Sequence, residues 1–300
     1  MTRAILITGG SGQVGHALGR LAWSDGVELH APTRAELDLA DPRSIEAAFA
    51  ARSYVAVINC AAYTAVDKAE DDLVAAFAAN AMGPAVLAAA TAAAGVPIVH
   101  VSTDYVFDGA APDAYDEDAP VAPLGVYGAS KLAGELAIAS GNPHHVILRT
   151  AWVLSDHGTN FARTMLRVGA SNSTVRVVDD QHGCPTSAAD IAEALQAITL
   201  RLLDDAAAPT GVFHFVNAGE ATWCGLARAI FATSAAAGGP SPTVEAITTA
   251  DYPTRARRPA NSRLATAKIT AAYGIAPRPW PEAVAEIVAA LVPHYGRPTP

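Results

Sequence analysis

Cysteine is nearly missing from this chain: Cys60, Cys184 and Cys224 are the three in 300 residues. An odd number at wide spacing supports no disulfide framework and no zinc-site pattern. Of the nine histidines, His16, His30, His100, His144, His145, His157, His182 and His214 show no metal-binding spacing either. They read as structural or surface groups, and no metal site is expected. Charge is scarce at 16 % of residues against 51 % hydrophobic, which excludes extended disorder and supplies a sizeable core. Basic residues are outnumbered, 20 to 29, for a net charge of −9. That balance argues against a general nucleic-acid or membrane-surface binder. No apolar run reaches transmembrane length without charge or proline. The opening Met1-Thr-Arg-Ala-Ile-Leu-Ile-Thr8 is too short and too soon interrupted by glycine for a signal peptide. A cytoplasmic location is the expectation.

What is present alternates. Apolar runs at Ala4–Thr8, Val27–Ala31, Val55–Asn59, Ile98–Ser102 and His145–Arg149 read as buried strands. Val14–Trp23, Leu73–Ala94 and Val126–Ala139 have helical spacing, the second interrupted by Gly83-Pro84. Asp108–Pro123 reads as a loop near the site. The α/β alternation implies a Rossmann-like, doubly wound parallel sheet over residues 1–150. Beyond about Thr150 the pattern is irregular. Helices are expected at Phe161–Val168, Ala188–Leu203, Thr222–Ala232 and Trp280–Val292, and strands at Thr174–Val178 and Val212–Val216. A smaller C-terminal substrate-binding lobe is therefore assigned to most of 151–300, with segments around 174–216 returning to the main sheet.

Three spacings carry chemistry. Gly9, Gly12 and Gly15, with Ser11, Gln13 and Val14 between them, join the first strand to a helix. Such a turn brings backbone close to a pyrophosphate at a helix N-terminus. The acid that usually holds the adenosine ribose is missing from Leu29-His-Ala-Pro-Thr-Arg34. Arg34 is placed to meet a 2′-phosphate, which favours NADPH over NADH, unless it is a solvated surface arginine. Asp38 and Leu39 follow toward the adenine. Ala61-Ala-Tyr-Thr64 closes the third strand with small residues that let a cofactor lie against the sheet edge. Asp67, Glu70, Asp71 and Asp72 beyond it read as a solvated helix start. Ser102-Thr103 closes the fourth strand. Tyr127 and Lys131 share a helix face at i and i+4. An ammonium beside a phenol favours the phenolate, so Lys131 is expected to lower the Tyr127 pKa. Trp152 either stacks on a sugar or lines the core. Arg255, Arg257, Arg258 and Arg263 form the one local basic cluster available for an anionic ligand.

In this order, these stretches resemble the extended short-chain dehydrogenase/reductase superfamily, and within it the dTDP-4-dehydrorhamnose reductase family. The resemblance spans nearly the whole chain. Asn59–Glu70, Ser102–Gly109 and Tyr252–Ser262 are its most specific parts, and Asp180-Gln-His-Gly-Cys-Pro-Thr-Ser187 is a further matching stretch. It implies Thr103, Tyr127 and Lys131 as the catalytic triad. Gly12, Gln13 and Val14 would meet the pyrophosphate, and Asp38, Leu39, Ala62, Tyr63 and Thr64 would line the cofactor. Asp104, Tyr105 and Trp152 would meet the sugar, and the region Arg257, Arg258 to Ser262 would face the dTDP half. The implied reaction is NAD(P)H-dependent reduction of a dTDP-4-keto-6-deoxyhexose. A sister 4-ketoreductase of antibiotic sugar pathways, a non-catalytic regulatory subunit of the same fold and an epimerase of the same superfamily are the alternatives. A homodimer is admitted but not required. His182 and Cys184 depart from the residues common in the family.

Overall fold

The computed structural model describes residues 3–295. Met1, Thr2 and residues 296–300 lie outside it, and with them the two ends of the sequence assignments above.

The chain opens with β1 (Arg3–Thr8), α1 (Gln13–Arg20), β2 (Val27–His30), α2 (Pro42–Ala51) and β3 (Ala56–Asn59). Next come α3 (Val66–Ala69), α4 (Leu73–Phe77) and, after a π-helical turn at Ala78–Met82, α5 (Gly83–Ala94). β4 (Ile98–Thr103), α6 (Val126–Gly141) and β5 (His145–Thr150) complete this half. The second half holds β6 (Val153–Leu154), α7 (Phe161–Gly169), β7 (Thr174–Val178), β8 (His182–Gly183), β9 (Thr186–Ser187), α8 (Ala188–Asp204) and β10 (Gly211–His214). It ends with β11 (Ala221–Thr222), α9 (Trp223–Ala236), β12 (Thr243–Ile247), β13 (Asn261–Ser262), α10 (Ala267–Tyr273) and α11 (Trp280–Leu291).

Six parallel strands form the main sheet in the order β2-β1-β3-β4-β5-β10. Side chains alternate between its faces. Ile5, Ile7, Ile58, Val99 and Leu148 pack on one face against Leu18 of α1, Ile191 and Leu195 of α8 and Ile269 of α10. Leu6, Val57, Ile98 and Ile147 pack on the other against Ile45 of α2, Leu87 of α5 and Ile138 of α6. Burial on both faces is why these strands read as continuous apolar runs. The lobe has its own core, where Leu166 of α7, Val175 and Val177 of β7, Ile230 of α9 and Val288 of α11 meet.

One expectation is corrected. The return to the main sheet comprises α8, β10 and α10, whereas Thr174–Val178 pairs with β12 inside the lobe. The interruption at Gly83-Pro84 is a break within one continuous helix. Pro84 falls in the first turn of α5, where a missing N–H costs little, and the π turn just before it absorbs the change of register. Leu73–Ala94 is thus 22 residues long and, at mean hydropathy 1.7, long and apolar enough by length and composition alone to cross a membrane. Here α5 lies against α2 and α6, and α4 against α6.

Candidate active site

At the carboxyl ends of β1 and β3, where the order of the strands reverses, opens a cleft of about 970 Å³. This is where doubly wound sheets bind ligands. Gly9 sits at φ +71°, and a Cβ on it would come 2.7 Å from Ala61 Cα. A Cβ on Gly15 would run into the Gly9 carbonyl oxygen. Gly12 caps α1 and has no side chain to satisfy the first amides. The turn therefore presents bare N–H groups and the positive end of a helix, with Ser11, Gln13 and Val14 on the cleft wall. A loop of the lobe leans on it: His157 Nε2 lies 3.1 Å from Ser11 O, and Asn160 Nδ2 donates to Gln13 Oε1 at 3.1 Å.

Beyond β2, Arg34, Asp38 and Leu39 line the same cleft. Glu36 turns away and accepts from Thr33 N at 2.8 Å, so the first acid after the strand is used up in its own turn. Arg34 is exposed, and its Nε donates to Asp38 at 3.2 Å. Ala61, Ala62, Tyr63 and Thr64 form the wall after β3. Their backbone is held from behind by Asn80, which lies in the π turn. Tyr63 N donates to Asn80 Oδ1 at 2.7 Å, and Asn80 Nδ2 donates to Tyr63 O at 3.0 Å and to Ser130 Oγ at 3.0 Å. Ser130 in turn donates to Tyr127 O at 2.8 Å. The cleft wall after β3 and the helix bearing Tyr127 and Lys131 are thus pinned to one buried amide. Sequence reasoning missed Asn80, whose only signal was a polar residue in an alanine-rich helix.

Thr103, Tyr127 and Lys131 come together on this cleft, from the end of β4 and the first turns of α6. Glu70 Oε1 accepts from Val126 N at 2.8 Å and so serves the N-terminus of that helix. The expected electrostatics of the pair are corrected. Burial pushes the Tyr127 phenol above its ordinary value, Asp104 and Tyr105 add to the shift, and Thr103 opposes it. Lys131 does not offset that rise. Its Nζ donates to Val101 O at 2.7 Å and lies 3.4 Å from His100 Nε2. Burial brings Lys131 down to about 8.

At the far end of the cleft stand Asp104, Tyr105, Trp152 and Trp223. Burial pushes the Asp104 carboxyl up to about 6, and the Thr103 hydroxyl donates to it at 3.0 Å. Tyr105 meets Tyr127 edge to face at 5.5 Å. Trp152 adopts φ +47°, rare for a residue with a side chain. Its ring is stacked 3.6 Å from that of Trp223, a partner sequence reasoning did not find.

Asp67 does stand in the first turn of α3, and Asp71 is exposed, but the acidic run is not left to solvent alone. Asp67 takes Arg258 Nη2 and accepts from Ala256 N at 3.0 Å, while Asp71 binds Arg255 Nη2 at 2.6 Å. These carboxylates latch the segment 252–262 onto α3. Arg258 also donates to Tyr105 Oη at 2.9 Å. Arg258 and Ser262 lie behind Tyr105 and Asp104 rather than on the cleft wall, and Arg257 is exposed outside it. Arg263 is bound to Glu220 and Asn261. The four arginines therefore do not form one cluster open to an anion. Among the described residues, no group of His, Cys, Asp or Glu could hold a metal ion.

Comparison with known proteins bears on this geometry. A family model described as the RmlD substrate binding domain matches residues 2–292. The dTDP-4-dehydrorhamnose reductase of Sinorhizobium fredii is 44 % identical over 289 residues, covering 96 % of this chain and 97 % of that protein. Its namesake from Mycobacterium tuberculosis is 41 % identical over 292 residues, with 95 % and 92 % covered. A crystal structure of a dTDP-4-dehydrorhamnose reductase from Clostridium acetobutylicum is 36 % identical, with TM-score 0.89 over 96 % of this chain and 99 % of that one. The enzyme of that name from Bacillus anthracis, in complex with NADP, is 30 % identical with TM-score 0.88, again over 96 % and 99 %.

Proposed function

This chain belongs to the RmlD substrate binding domain family, and on that premise we propose that it reduces the 4-keto group of dTDP-4-dehydrorhamnose to give dTDP-L-rhamnose, using NADPH or NADH. The observation that supports it most is the meeting of the glycine turn with Thr103, Tyr127 and Lys131 on one cleft.

The chain's own residues fit a dinucleotide. The glycine turn is a cradle that a Cβ at Gly15 would fill, and the uncapped start of α1 suits a diphosphate. In this reading Gly9, Ser11, Gly12, Gln13, Val14 and Gly15 hold the diphosphate. Arg34, Asp38 and Leu39 take the adenosine end, and Ala61, Ala62, Tyr63 and Thr64 line the middle. When bound, the reduced nicotinamide supplies the hydride for C4 of the sugar. Thr103 hydrogen-bonds the ketone and fixes its angle to Tyr127. Tyr127 gives its phenolic proton to the developing alkoxide, a stronger base than phenolate. Its raised pKa keeps that proton in place until then. Lys131, beside it, holds the nicotinamide ribose. Asp104, Tyr105 and Trp152 meet the sugar, and the segment Arg257, Arg258 to Ser262 supports the dTDP half, whose remote binding energy orients the ketone.

Residues 1–150 with the returning α8, β10 and α10 then form the cofactor domain, and the rest of 151–300 the nucleotide-sugar lobe. A soluble cytoplasmic enzyme, monomer or homodimer, with no nucleic-acid or membrane partner, completes the reading. The test is incubation with enzymatically made dTDP-4-dehydrorhamnose and NADPH, with NMR of the product. Formation of dTDP-L-rhamnose is the expected result. Cofactor binding without turnover would point to a regulatory subunit, and the opposite configuration at C4 to a sister ketoreductase.

A further inference from the structure

A row of buried polar side chains crosses the main sheet behind the cleft. Thr8 ends β1, Asn59 ends β3, His100 lies in β4, and Lys131 reaches in from α6. They are 1 %, 0 %, 0 % and 2 % exposed. Thr8 Oγ1 donates to Asn59 Oδ1 at 2.5 Å, Asn59 Nδ2 lies 2.8 Å from His100 Nδ1, and His100 Nε2 lies 3.4 Å from Lys131 Nζ. Nothing in the reaction described above uses Thr8, Asn59 or His100.

The donors and acceptors along this row fix its direction. An amide nitrogen only donates, so His100 Nδ1 must accept. A neutral imidazole carries a single N–H, which then sits on Nε2 and faces Lys131. An ammonium has donors only and would meet that N–H donor to donor. An amine has two N–H groups and one lone pair. One N–H goes to Val101 O, and the lone pair accepts from His100.

We propose that His100 is a positioning residue for Lys131: with its direction set by the Asn59 amide, it donates Nε2–H to the lysine nitrogen and so favours the uncharged amine beyond what burial does. This rests on the reading that Lys131 serves the reaction beside Tyr127. Burial acts on the lysine first and brings it down to about 8, against the pull of Glu135. Glu135, on its own helix, is held by Arg149 through Nη2 at 2.7 Å. The Cys60 thiol after β3 is pushed up to about 12 and stays neutral, as does the Tyr127 phenol. His100 is held well below the usual imidazole range by burial and by Lys131. Charging the lysine therefore requires the row to reverse. His100 Nε2 becomes the acceptor, its N–H moves to Nδ1, and the Asn59 amide turns so that Oδ1 accepts from Nδ1 and Nδ2 faces the Thr8 hydroxyl. One proton is gained in all, at Lys131 Nζ, and the imidazole gains none.

The experiment is ¹⁵N NMR of the His100 ring in the cofactor-free wild-type protein, on both sides of the Lys131 titration. The expected pattern is Nε2–H above that titration and Nδ1–H below it, with no imidazolium at either end. Asn59→Asp, in its ionised form, offers acceptors alone. It should hold His100 as Nδ1–H throughout, raise the Lys131 midpoint by about one unit and move the alkaline limb of kcat/KM the same way. Thr8→Val adds no charge, frees the amide to turn, and should shift the midpoint in the same direction. Nδ1–H above the lysine's titration in wild type, or an unmoved midpoint in both variants, overturns the proposal. Full turnover by Lys131→Ala with the tautomer pattern intact would fault the role given to the lysine and leave this hydrogen-bond assignment supported.

Discussion

Replacing Arg258 with alanine tests how the segment 252–262 serves the sugar end. In the wild type the guanidinium makes two bonds, to Asp67 and to Tyr105 Oη at 2.9 Å. The ion pair is partly open to solvent, with side chains 21 % and 46 % exposed. Pairs of that kind contribute about 0.2–1 kcal/mol. The bond to the tyrosine involves a charged donor and is worth about 1.5–3 kcal/mol. A loss of about 2 kcal/mol overall is about thirtyfold in an equilibrium constant. It should appear in the KM for the dTDP-sugar, because Tyr105 and the latched segment adjoin that end of the cleft. The NADPH KM should stay within about twofold, since the glycine turn is at the opposite end. Asp67→Asn keeps an acceptor for the arginine and loses only the ionic part, so a rise of at most about fivefold is expected. Steady-state kinetics with each substrate varied in turn decides. If Arg258→Ala alters the sugar-nucleotide KM by less than about twofold, or raises both KM values alike, the latch does not act on the sugar site.

Tyr127→Phe keeps the ring against Tyr105 but removes the proton, so turnover should fall about 10²–10⁴-fold with the NADPH Kd nearly unchanged; retention of more than about a tenth of the rate rules the phenol out as the acid. Arg34→Ala should weaken NADPH more than NADH, measured as Kd for both cofactors, and equal losses would make Arg34 a surface residue whose partner is only Asp38. Gly15→Ala places a Cβ against the Gly9 carbonyl oxygen and 2.7 Å from Gly10 Cα, backbone on both counts. Overpacking of that kind costs about 1–3 kcal/mol and should raise the NADPH Kd about tenfold, and an unchanged Kd would show that the turn has room. Asn80→Leu leaves the π turn filled but cuts the bonds to Tyr63 and Ser130; kcat and cofactor affinity should fall together, and a change in thermal stability alone would reduce Asn80 to a packing role.

The main sheet was legible because its strands are buried on both faces and so contain little but Val, Ile, Leu and Ala, as Ala56–Asn59 shows. α2 was missed: Asp41 and Pro42 announce its start, and Asp41 does accept from Arg43 N, but only Ile45 among its residues is fully buried. β12 was missed because Thr243–Ile247 is an edge strand with mostly exposed residues beside a Gly/Pro turn. The cleft's near wall could be read from local patterns, such as glycine spacing and an i, i+4 pair. The far wall depends on contacts between residues distant in the chain. Asp67 meets Arg258, Trp152 meets Trp223, and Asn80 meets Tyr63 and Ser130. No periodicity records such pairs. Reading Asp67–Asp72 as solvated followed from the local helix start, where a carboxylate needs no partner to be comfortable. The Lys131 electrostatics also escaped, because the sequence puts the ammonium near the phenol while the fold turns it toward Val101 and His100.

The sixth strand of the main sheet arrives late. β5 ends at Thr150, and its outer neighbour β10 begins only at Gly211, after the chain has left to build much of the lobe. Until then β5 carries a free row of N–H and C=O groups on an apolar strand, the kind of edge that templates association with other chains. During synthesis, residues 1–150 therefore present this open edge until Gly211–His214 has emerged to pair with it. Truncation after Thr150 makes that open edge permanent. The nucleotide half looks like an independent unit in sequence order, yet its sheet is closed by a strand that only the longer chain supplies.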